Sequence, residues 1–304
     1  MLNFKMINIK GPISVVAHDA GGANQIISFL QANLDKTPVH PHMRGPALKL
    51  WNAAFPQYRN FCSLDSALAA SSLLISGTGW QTDLEFDAIS KASEIGIHSI
   101  GFLDHWVNYK QRFSRKGITK LPDEFWVVDK FAYEIASKTF KNKIITQVDD
   151  NYLISQLTNI RKFPTKENIL LYITEPSRNN WGKLQPGEFQ ALDYLLENLH
   201  KISNLDHIKI LLRPHPSENL HKFDGWIKSN PSQEIIVDNS ISLASAISKA
   251  KWVAGCESYG LVVALASGRT VYSALPPWAP ACRLPHSGIL HLKDNIDFDI
   301  GIIK

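Results

Sequence analysis

The sequence predicts an α/β protein of two Rossmann-like domains whose parallel sheets face a cleft. The chain has 304 residues, about twice the usual length of a single domain. Short apolar runs alternate with amphipathic segments over almost the whole chain, which is typical of parallel, doubly wound sheets. One polar, lysine-rich stretch near the middle interrupts this alternation. We interpret it as the connection between a domain of residues 1–160 and a domain of residues 161–304.

Five strands and three helices are predicted in the N-terminal half. The strands are short apolar runs rich in β-branched residues, at Ile13–Ala17, Leu73–Ser76, Ser99–Leu103, Phe125–Val128 and Ile144–Val148. Helical spacing of apolar residues occurs between them, at Asn24–Asn33, Thr82–Ile95 and Lys130–Phe140. Gly96 is expected to end the second helix, because a residue without Cβ readily adopts the left-handed conformation.

The same alternation predicts five strands and four helices in the C-terminal half. The strands are expected at Ile169–Thr174, Ile208–Leu212, Ile235–Val237, Trp252–Ala254 and Thr270–Tyr272. The helices are expected at Gly187–Ile202, Ser217–Lys228, Ser240–Ala250 and Ser258–Ser267. Because open α/β sheets bind ligands at the carboxyl ends of their strands, we expect the functional residues there.

Composition narrows the class of protein. Apolar residues make up 44% and charged residues 20% of the chain, and scattered lysines and arginines give a formal net charge of +4. Such a surface suits anionic ligands or peripheral association with a membrane, and it does not indicate nucleic acid binding. Three distant cysteines without CxxC spacing argue against a zinc site or a disulfide framework. Since neither a signal sequence nor an apolar run of ~18 residues is found, we expect a cytoplasmic protein.

A glycine-containing loop, HDAGGAN, directly follows the first predicted strand. Gly21 and Gly22 permit a tight turn and the close approach of a ligand, such as an acceptor. The loop is neither a GxGxxG fingerprint nor a P-loop with its lysine. His18 and Asp19 stand where the strand delivers residues to the cleft, so we expect them to be catalytic. The alternative is that Asp19 only caps the following helix.

The segment RPHPS follows the predicted strand Ile208–Leu212. Two prolines fix the backbone around His215, and Ser217 is expected to cap the next helix with Glu218 in its first turn. Arg213 and His215 before a helix N-terminus form a suitable cradle for a phosphate. The alternative is a loop with a solvated arginine and a structural histidine.

A second phosphate-binding segment is predicted at GCESYG, before a helix that is apolar nearly all round and therefore buried. Ser258 and the first amides of that helix, at Tyr259 and Gly260, are suited to bind a phosphate. Glu257 can accept hydrogen bonds from ribose hydroxyls, and a carboxylate at this position is costly to bury without a partner. Capping of the helix alone would also explain Ser258.

Two further segments of the N-terminal half follow predicted strands and are expected to line the acceptor side of the cleft. They are GTGW with Glu85 downstream, and LDHWVNY with Asp104 and His105. Neither segment is a specific signature by itself. Trp106 and Tyr109 have the shape to stack on a sugar ring, but aromatic residues here are as often packed in a core.

Together these segments resemble the GT-B glycosyltransferases, in which one Rossmann-like domain binds the acceptor and the other binds the nucleotide donor. The RPHP segment is similar to the HP motif of bacterial sialyltransferases, Kdo transferases and related capsule enzymes. Residues 255–268 and the strand after them resemble the donor-phosphate helix of those enzymes. The resemblance implies that His215 contacts the donor phosphate and that Ser258 completes this site. It also implies that Asp19 is the general base, with His18 in reserve.

The resemblance predicts an inverting, metal-independent glycosyltransferase of surface-polysaccharide synthesis that uses no cofactor. Its donor would be a nucleotide sugar, with a CMP-linked ulosonic acid favoured, and its acceptor a saccharide or glycolipid. The one DxD triplet, from Asp297 to Asp299, lies in the C-terminal tail far from the phosphate segments. We interpret this triplet as surface rather than as a metal site.

Three other functions fit the same architecture. A nucleotide-sugar 2-epimerase or hydrolase would release a free sugar and need no acceptor. An enzyme that transfers a polyol phosphate from a CDP-linked donor would also carry an HP element. A non-catalytic protein that senses a nucleotide sugar would bind its ligand without turnover.

Overall fold

A computed structural model of the chain describes residues 9, 11–161, 167–176, 179–204 and 207–294. The chain divides into two compact units, Met1–Ser155 and Gln156–Lys304. Each unit contains one six-stranded sheet in which every pair of neighbouring strands is parallel. The predicted pair of Rossmann-like domains is therefore confirmed.

The N-terminal unit has a main sheet of six strands and a short antiparallel hairpin. The main sheet contains β1 Ile13–Ala17, β2 Val39–Met43, β3 Leu73–Ser76, β4 His98–Phe102, β7 Glu124–Val127 and β8 Ile144–Gln147, and the hairpin contains β5 Ser114–Arg115 and β6 Ile118–Thr119. The helices are α1 Ala20–Asn33, α2 Gly45–Ala54, α3 Leu64–Ala69, α4 Leu84–Glu94, α5 Tyr109–Arg112 and α6 Lys130–Thr139. A further helix, α7 Asn151–Asn159, crosses the division between the units.

The five strands predicted in this half all occur within one residue of their predicted bounds. The sequence does not predict β2, because Pro41 and two histidines interrupt its apolar pattern. Pro41 pairs with Val15 of β1, and β2 is an edge strand, where a residue without an N–H is tolerated. Gly96 follows the end of α4 with a φ of 75°, as predicted.

The C-terminal unit has six strands and four α-helices among its described residues. The strands are β9 Ile169–Ile173, β10 Lys209–Arg213, β11 Ile235–Val237, β12 Trp252–Gly255, β13 Thr270–Ser273 and β14 Ile289–His291. The helices are α8 Gly187–Glu197, α9 Asp224–Lys228, α10 Leu243–Lys249 and α11 Tyr259–Ala266, with 3₁₀ turns at Leu199–Lys201 and Leu220–Phe223.

One predicted helix of this half is wrong in its first part. The helix expected from Ser217 is absent until a 3₁₀ turn at Leu220–Phe223, and α9 begins only at Asp224. Ser217 therefore caps no helix, and its hydroxyl instead lies 2.8 Å from Nδ1 of His215. The strand β14 is not predicted because it is three residues long and only its first residue is buried.

The strand orders place one crevice at the carboxyl edge of each sheet. The N-terminal order is β2-β1-β3-β4-β7-β8 and the C-terminal order is β11-β10-β9-β12-β13-β14. The chain builds outward on one side of β1 and of β9, then continues on the other side. Such a reversal of direction is a topological switch point, where open α/β sheets bind ligands. The two switch points lie between β1 and β3 and between β9 and β12.

The strands that carry these switch points are buried. All five residues of β1 and all five residues of β9 are inaccessible or nearly so. In the N-terminal core, Phe29 packs against Trp126 with ring centroids 4.6 Å apart. None of the helices in the described part of the chain is long and apolar enough to cross a membrane.

Candidate functional site

The carboxyl edge of the N-terminal sheet brings His18 and Asp19 beside the loop that follows β3. Val16 of β1 is in register with Ser76 of β3, so the residues after these two strands are neighbours. Oδ1 of Asp19 lies 2.8 Å from Nδ1 of His18, and the two side chains are 26% and 21% exposed. Asp19 occupies the N-cap position of α1, but its side chain forms no capping hydrogen bond. Capping therefore does not explain Asp19, and its carboxylate is accessible for chemistry.

The side chain of Glu85, in the first turn of α4, extends to the same edge of the sheet. Its Oε1 accepts a hydrogen bond from the backbone N–H of His18 at 2.7 Å, and the residue is only 2% exposed. Its Oε2 is buried and bonds to no described residue. Burial and, less strongly, the nearby charge of Asp19 raise the pKa of Glu85, the His18 N–H lowers it, and the result is a pKa of about 7. Glu85 is thus a carboxyl group that can hold a proton near neutral pH.

Gly79 allows the β3 loop to lie against both carboxyl groups. A Cβ at this position would be 2.6 Å from Oδ2 of Asp19 and 2.8 Å from Oε1 of Glu85. Both distances are shorter than side chains tolerate, so only glycine permits this approach. Asp19 and Glu85 therefore face one small space beside Gly79.

Gly21 and Gly22 also allow close packing, but against protein groups. A Cβ at Gly21 would overlap the carboxylate of Asp104, and a Cβ at Gly22 would lie 3.2 Å from the Cα of Gly77. Asp104 is itself engaged by Arg112, whose Nη1 donates to its Oδ1 at 2.6 Å. The structure therefore places Gly21, Gly22 and Asp104 at the predicted edge, with Asp104 paired to a buried arginine.

The aromatic residues after β4 do not form a surface for stacking on a sugar. Trp106 and Tyr109 are each only 4% exposed, so the packing alternative holds for both. The indole N–H of Trp106 donates to the carboxylate of Asp129 at 2.9 Å. His105 lies beside Trp106, with ring centroids 5.3 Å apart, and its Nδ1 accepts the Trp106 backbone N–H.

The carboxyl edge of the C-terminal sheet joins the two predicted phosphate segments through β9. Arg213 of β10, Ile173 of β9 and Gly255 of β12 are in register with one another. Because neighbouring strands are about 4.8 Å apart, the segments that follow β10 and β12 lie on either side of the end of β9. The two residues at that end, Thr174 and Glu175, are not among the predicted site residues.

Thr174 and Glu218 hold the backbone of His215. The His215 N–H donates to Oγ1 of Thr174 at 3.0 Å and to Oε2 of Glu218 at 2.9 Å. Glu218 also accepts from Lys222, and these hydrogen bonds lower the pKa of Glu218 although its burial opposes them. Glu218 therefore anchors this loop, and the prediction that it lies in the first turn of a helix is wrong.

Arg213 places its guanidinium at the same edge, bound on one side to a buried carboxylate. Nη1 of Arg213 lies 2.6 Å from Oδ2 of Asp238, whose side chain is 1% exposed, while the arginine side chain is 21% exposed. Such a pair fixes the orientation of the guanidinium. Arg213 and the partly exposed His215 are thus held rigidly beside the switch point.

Ser258 and Glu257 have well-defined partners in the segment after β12. Oγ of Ser258 accepts the N–H of Gly260 at 3.1 Å and caps α11, which begins at the partly exposed Tyr259. The carboxylate of Glu257 forms an ion pair with Arg283. Arg283 is the partner that this carboxylate needs, and it comes from a loop that sequence reasoning did not connect with the segment.

Glu175, at the end of β9, also has an elevated pKa. Its Oε2 accepts the backbone N–H of Glu257 at 2.6 Å, across the switch point between β9 and β12. Desolvation and the negative charge of Glu257 raise the pKa of Glu175 to about 7, while this N–H and Arg283 lower it. The only sequence signal for Glu175 is its position directly after a buried strand.

Within the described residues, no group of three or more His, Cys, Asp or Glu side chains is arranged to hold a metal ion. Asp297 and Asp299, which the sequence analysis interprets as surface, lie outside the described residues.

Two Rossmann-like units with six-stranded parallel sheets define the GT-B class of fold, in agreement with the resemblance. Solved structures support this class over most of their length. A complex of S. aureus MnaA with UDP has a TM-score of 0.61 and 10% sequence identity, and the match covers 87% of this chain and 79% of that chain.

Two UDP-GlcNAc 2-epimerases give TM-scores of 0.55. The enzyme from Methanocaldococcus jannaschii is 11% identical, with 86% of this chain and 83% of that chain covered. The enzyme from Neisseria meningitidis, bound to UDP-GlcNAc, is 9% identical, with 82% and 78% covered. At such identities the likeness shows the fold. No protein-family model matches the chain, and no curated protein sequence does either.

Proposed function

We propose that this chain is an enzyme that acts on a nucleotide sugar as a 2-epimerase or hydrolase, without a second saccharide. The observation that carries the proposal is the pair of carboxyl groups of Asp19 and Glu85 at the N-terminal switch point. One of them, Glu85, has a pKa of about 7 and can hold a proton where its neighbour is a carboxylate. Removing a proton from a sugar carbon requires a base, and a protonated neighbour spares the site a second negative charge beside that base.

The C-terminal unit supplies the features of a phosphate site. Arg213 and His215 bring positive charge and hydrogen-bond donors to the carboxyl edge, and α11 presents its first amides after Ser258. These groups stand on both sides of the end of β9. They are suited to stabilise the negative charge of a departing diphosphate.

The nucleotide that we propose is uridine diphosphate. Of the structures with this fold, one is named as a complex with UDP and another as bound to UDP-GlcNAc, and two are named as UDP-GlcNAc 2-epimerases. Their names support UDP-N-acetylglucosamine as the first substrate to test.

A second candidate is glycosyl transfer, favoured by the RPHP segment and by the rigid placement of His215 within it. In this alternative, a CMP-linked ulosonic acid is the donor and a saccharide or glycolipid is the acceptor. Asp19 would be the general base, with His18 in reserve, and the reaction would be inverting and independent of metal.

The test combines binding with turnover. Thermal shift with UDP, GDP, CDP and CMP identifies the nucleotide, because a ligand that binds the folded state raises its apparent stability. Proton NMR in D₂O then follows UDP-N-acetylglucosamine and a CMP-linked ulosonic acid, each with and without saccharide acceptors. We expect UDP to stabilise the protein most. We also expect an epimer or free sugar to form without an acceptor, with deuterium incorporated at C2 if the reaction is an epimerisation.

Each other outcome overturns the proposal in a defined way. Stabilisation by CMP with turnover only in the presence of an acceptor would establish transfer instead. Stabilisation by CDP, with a polyol phosphate transferred from a CDP-linked donor to an acceptor, would indicate polyol-phosphate transfer. Binding of a nucleotide sugar without turnover, over all acceptors tried, would indicate a non-catalytic binding protein.

A further inference from the structure

The space beside Gly79 is occupied by two carboxyl groups that contribute oxygens to the same point. Oδ2 of Asp19 and Oε1 of Glu85 lie 2.6 Å and 2.8 Å from the position that a Cβ of residue 79 would take. We propose that Asp19 and Glu85 act as a coupled carboxyl pair, in which Glu85 is the positioning residue that holds the proton and leaves Asp19 as the charged base. This inference rests on the proposed function for its catalytic meaning, but not for the protonation of Glu85.

The environment of Glu85 favours its neutral form. The carboxyl group is 2% exposed, and its Oε1 accepts the backbone N–H of His18. Its Oε2 is buried and bonds to no described residue. An ionised carboxylate in such a place would lack most of its hydration, which is unfavourable. The protonated form avoids this cost and still accepts the His18 N–H.

Of the charged groups around the pair, His18 lowers the pKa of Glu85, but burial and the charge of Asp19 raise it more. His18 is bonded to Asp19. Two arginines contact the backbone of the β3 loop, Arg112 at Thr78 and Arg115 at Gly79, but each already binds another carboxylate. Arg112 pairs with Asp104, and Arg115 with Asp83 at the start of α4. On the far side of α4, Lys91 pairs with Asp65.

The pair has a defined part in the proton step. When the base acts, an O–H or C–H bond of the substrate breaks, its electrons stay on the substrate, and the proton forms a new bond to Asp19. Glu85 keeps its own proton and its contact with His18. Above pH 7, Glu85 loses that proton to solvent. Two adjacent carboxylates then repel each other, the buried one draws in water, and the geometry around Asp19 is lost.

A carboxyl titration tests the pair without any substrate. Protein labelled with ¹³C at the glutamate carboxyl carbons is titrated by NMR, and Glu85→Asp identifies the Glu85 signal by removing it from the glutamate spectrum. We expect a midpoint of about 7 in the native protein. In Asp19→Asn the midpoint should be lower, because one negative charge is gone. A native midpoint near 4.5, or a midpoint that Asp19→Asn leaves unchanged, overturns the proposal.

A pH profile tests its catalytic meaning. In the native enzyme, kcat/KM should fall tenfold per unit above a pKa of about 7, so the ratio between pH 6 and pH 8.5 should be roughly 30. Glu85→Gln cannot ionise, and this ratio should fall to nearly 1 whatever its absolute activity. Glu94→Gln, the same change at the exposed end of α4, should keep the native ratio.

The two tests separate the possible failures. An equal ratio in the native enzyme and Glu85→Gln would mean that Glu85 does not control Asp19, and the inference would be wrong. If no nucleotide sugar is turned over while the NMR midpoint still responds to Asp19→Asn, the coupled carboxyl pair stands. In that case the proposed function fails.

Discussion

The two carboxyl edges of this protein use the same arrangement with one difference. At each edge, a glutamate with a pKa of about 7 accepts a backbone N–H from across the switch point: Glu85 from His18, and Glu175 from Glu257. A second carboxylate stands beside each, Asp19 in the N-terminal unit and Glu257 in the C-terminal unit.

The difference is an arginine. Glu257 is paired with Arg283, whereas the arginines nearest to Asp19 and Glu85 bind other carboxylates. In general, a carboxylate paired with a cation has a lowered pKa and is held in place. A neighbouring carboxylate without such a cation raises the pKa of the carboxyl group beside it. Two carboxyl groups with the same pKa can therefore have different functions. We interpret the N-terminal edge as the place for proton chemistry and the C-terminal edge as a rigid support for ligand binding.

The largest expected effect is that of Asp19→Asn, which removes the base from the N-terminal edge. Activity should fall by the ~10²–10⁴-fold typical for loss of a general base. Folding and nucleotide binding should persist, because the Asp19 side chain caps no helix and asparagine has nearly the same size. The measurement is kcat/KM, with thermal shift by the nucleotide as the control for binding.

Other results would reassign the base. If His18→Ala is inactive while Asp19→Asn retains activity, the roles of these two residues are reversed. If both variants remain active, the N-terminal edge must be searched further, beginning with Asp104 and His105.

The next effect tests the C-terminal edge, where His215→Ala should weaken stabilisation of the leaving diphosphate. By analogy with removal of an oxyanion-hole donor, kcat/KM should drop by roughly 10²–10³-fold, or about 2.7–4 kcal/mol. His221→Ala is the matched control, since this histidine follows in the same loop and its side chain is 84% exposed. A folded His215→Ala variant with the activity of the control would remove His215 from the site.

A smaller effect concerns stability and distinguishes the two glutamates. The folded-state pKa of Glu85 lies above its ordinary value of 4.5, so the unfolded chain releases the proton first as pH rises. The contribution of Glu85 to the free energy of unfolding should be largest below pH 4.5 and should decrease until pH 7. For a group that is 2% exposed, the total decrease is about 3 kcal/mol.

Glu85→Gln should remove this decrease, and urea unfolding at pH 5 and pH 8 measures it as the difference between variant and native protein. Glu175→Gln should give the same sign with a smaller amplitude, because Glu175 is partly exposed and solvent screens its charge. Equal amplitudes for the two variants would contradict the contrast between the edges.

The sequence predicts most of the fold because its strands are apolar runs between turn residues. Ile13–Ala17 and Leu73–Ser76 occur with the predicted bounds for this reason. The strand β2 is not predicted because its sequence, VHPHM, is not an apolar run. Its place in the sheet is determined by pairing with β1. Such pairing is a property of the tertiary structure.

The candidate site likewise contains residues that the sequence predicts and residues that it does not. His18, Asp19 and Glu85 are predictable because the ends of neighbouring parallel strands meet. Glu175 and Arg283 are not, because their importance lies in contacts with Glu257, a residue 82 positions from the first and 26 from the second. No local sequence pattern predicts a hydrogen bond or an ion pair between segments so far apart in the chain.

The smallest expected effect would make the C-terminal edge resemble the N-terminal one. Arg283→Gln removes the positive charge that lowers the pKa of Glu175, so this pKa should rise above about 7. The arginine side chain is 48% exposed, and exposed ion pairs contribute ~0–1 kcal/mol, which limits the rise to less than about 0.7 pH units. Carboxyl ¹³C NMR measures the midpoint, with Lys228→Gln, an exposed charge on α9, as the control. A midpoint that stays unchanged or falls would show that Arg283 does not compensate the C-terminal carboxyl groups, and the difference between the two edges would then need another cause.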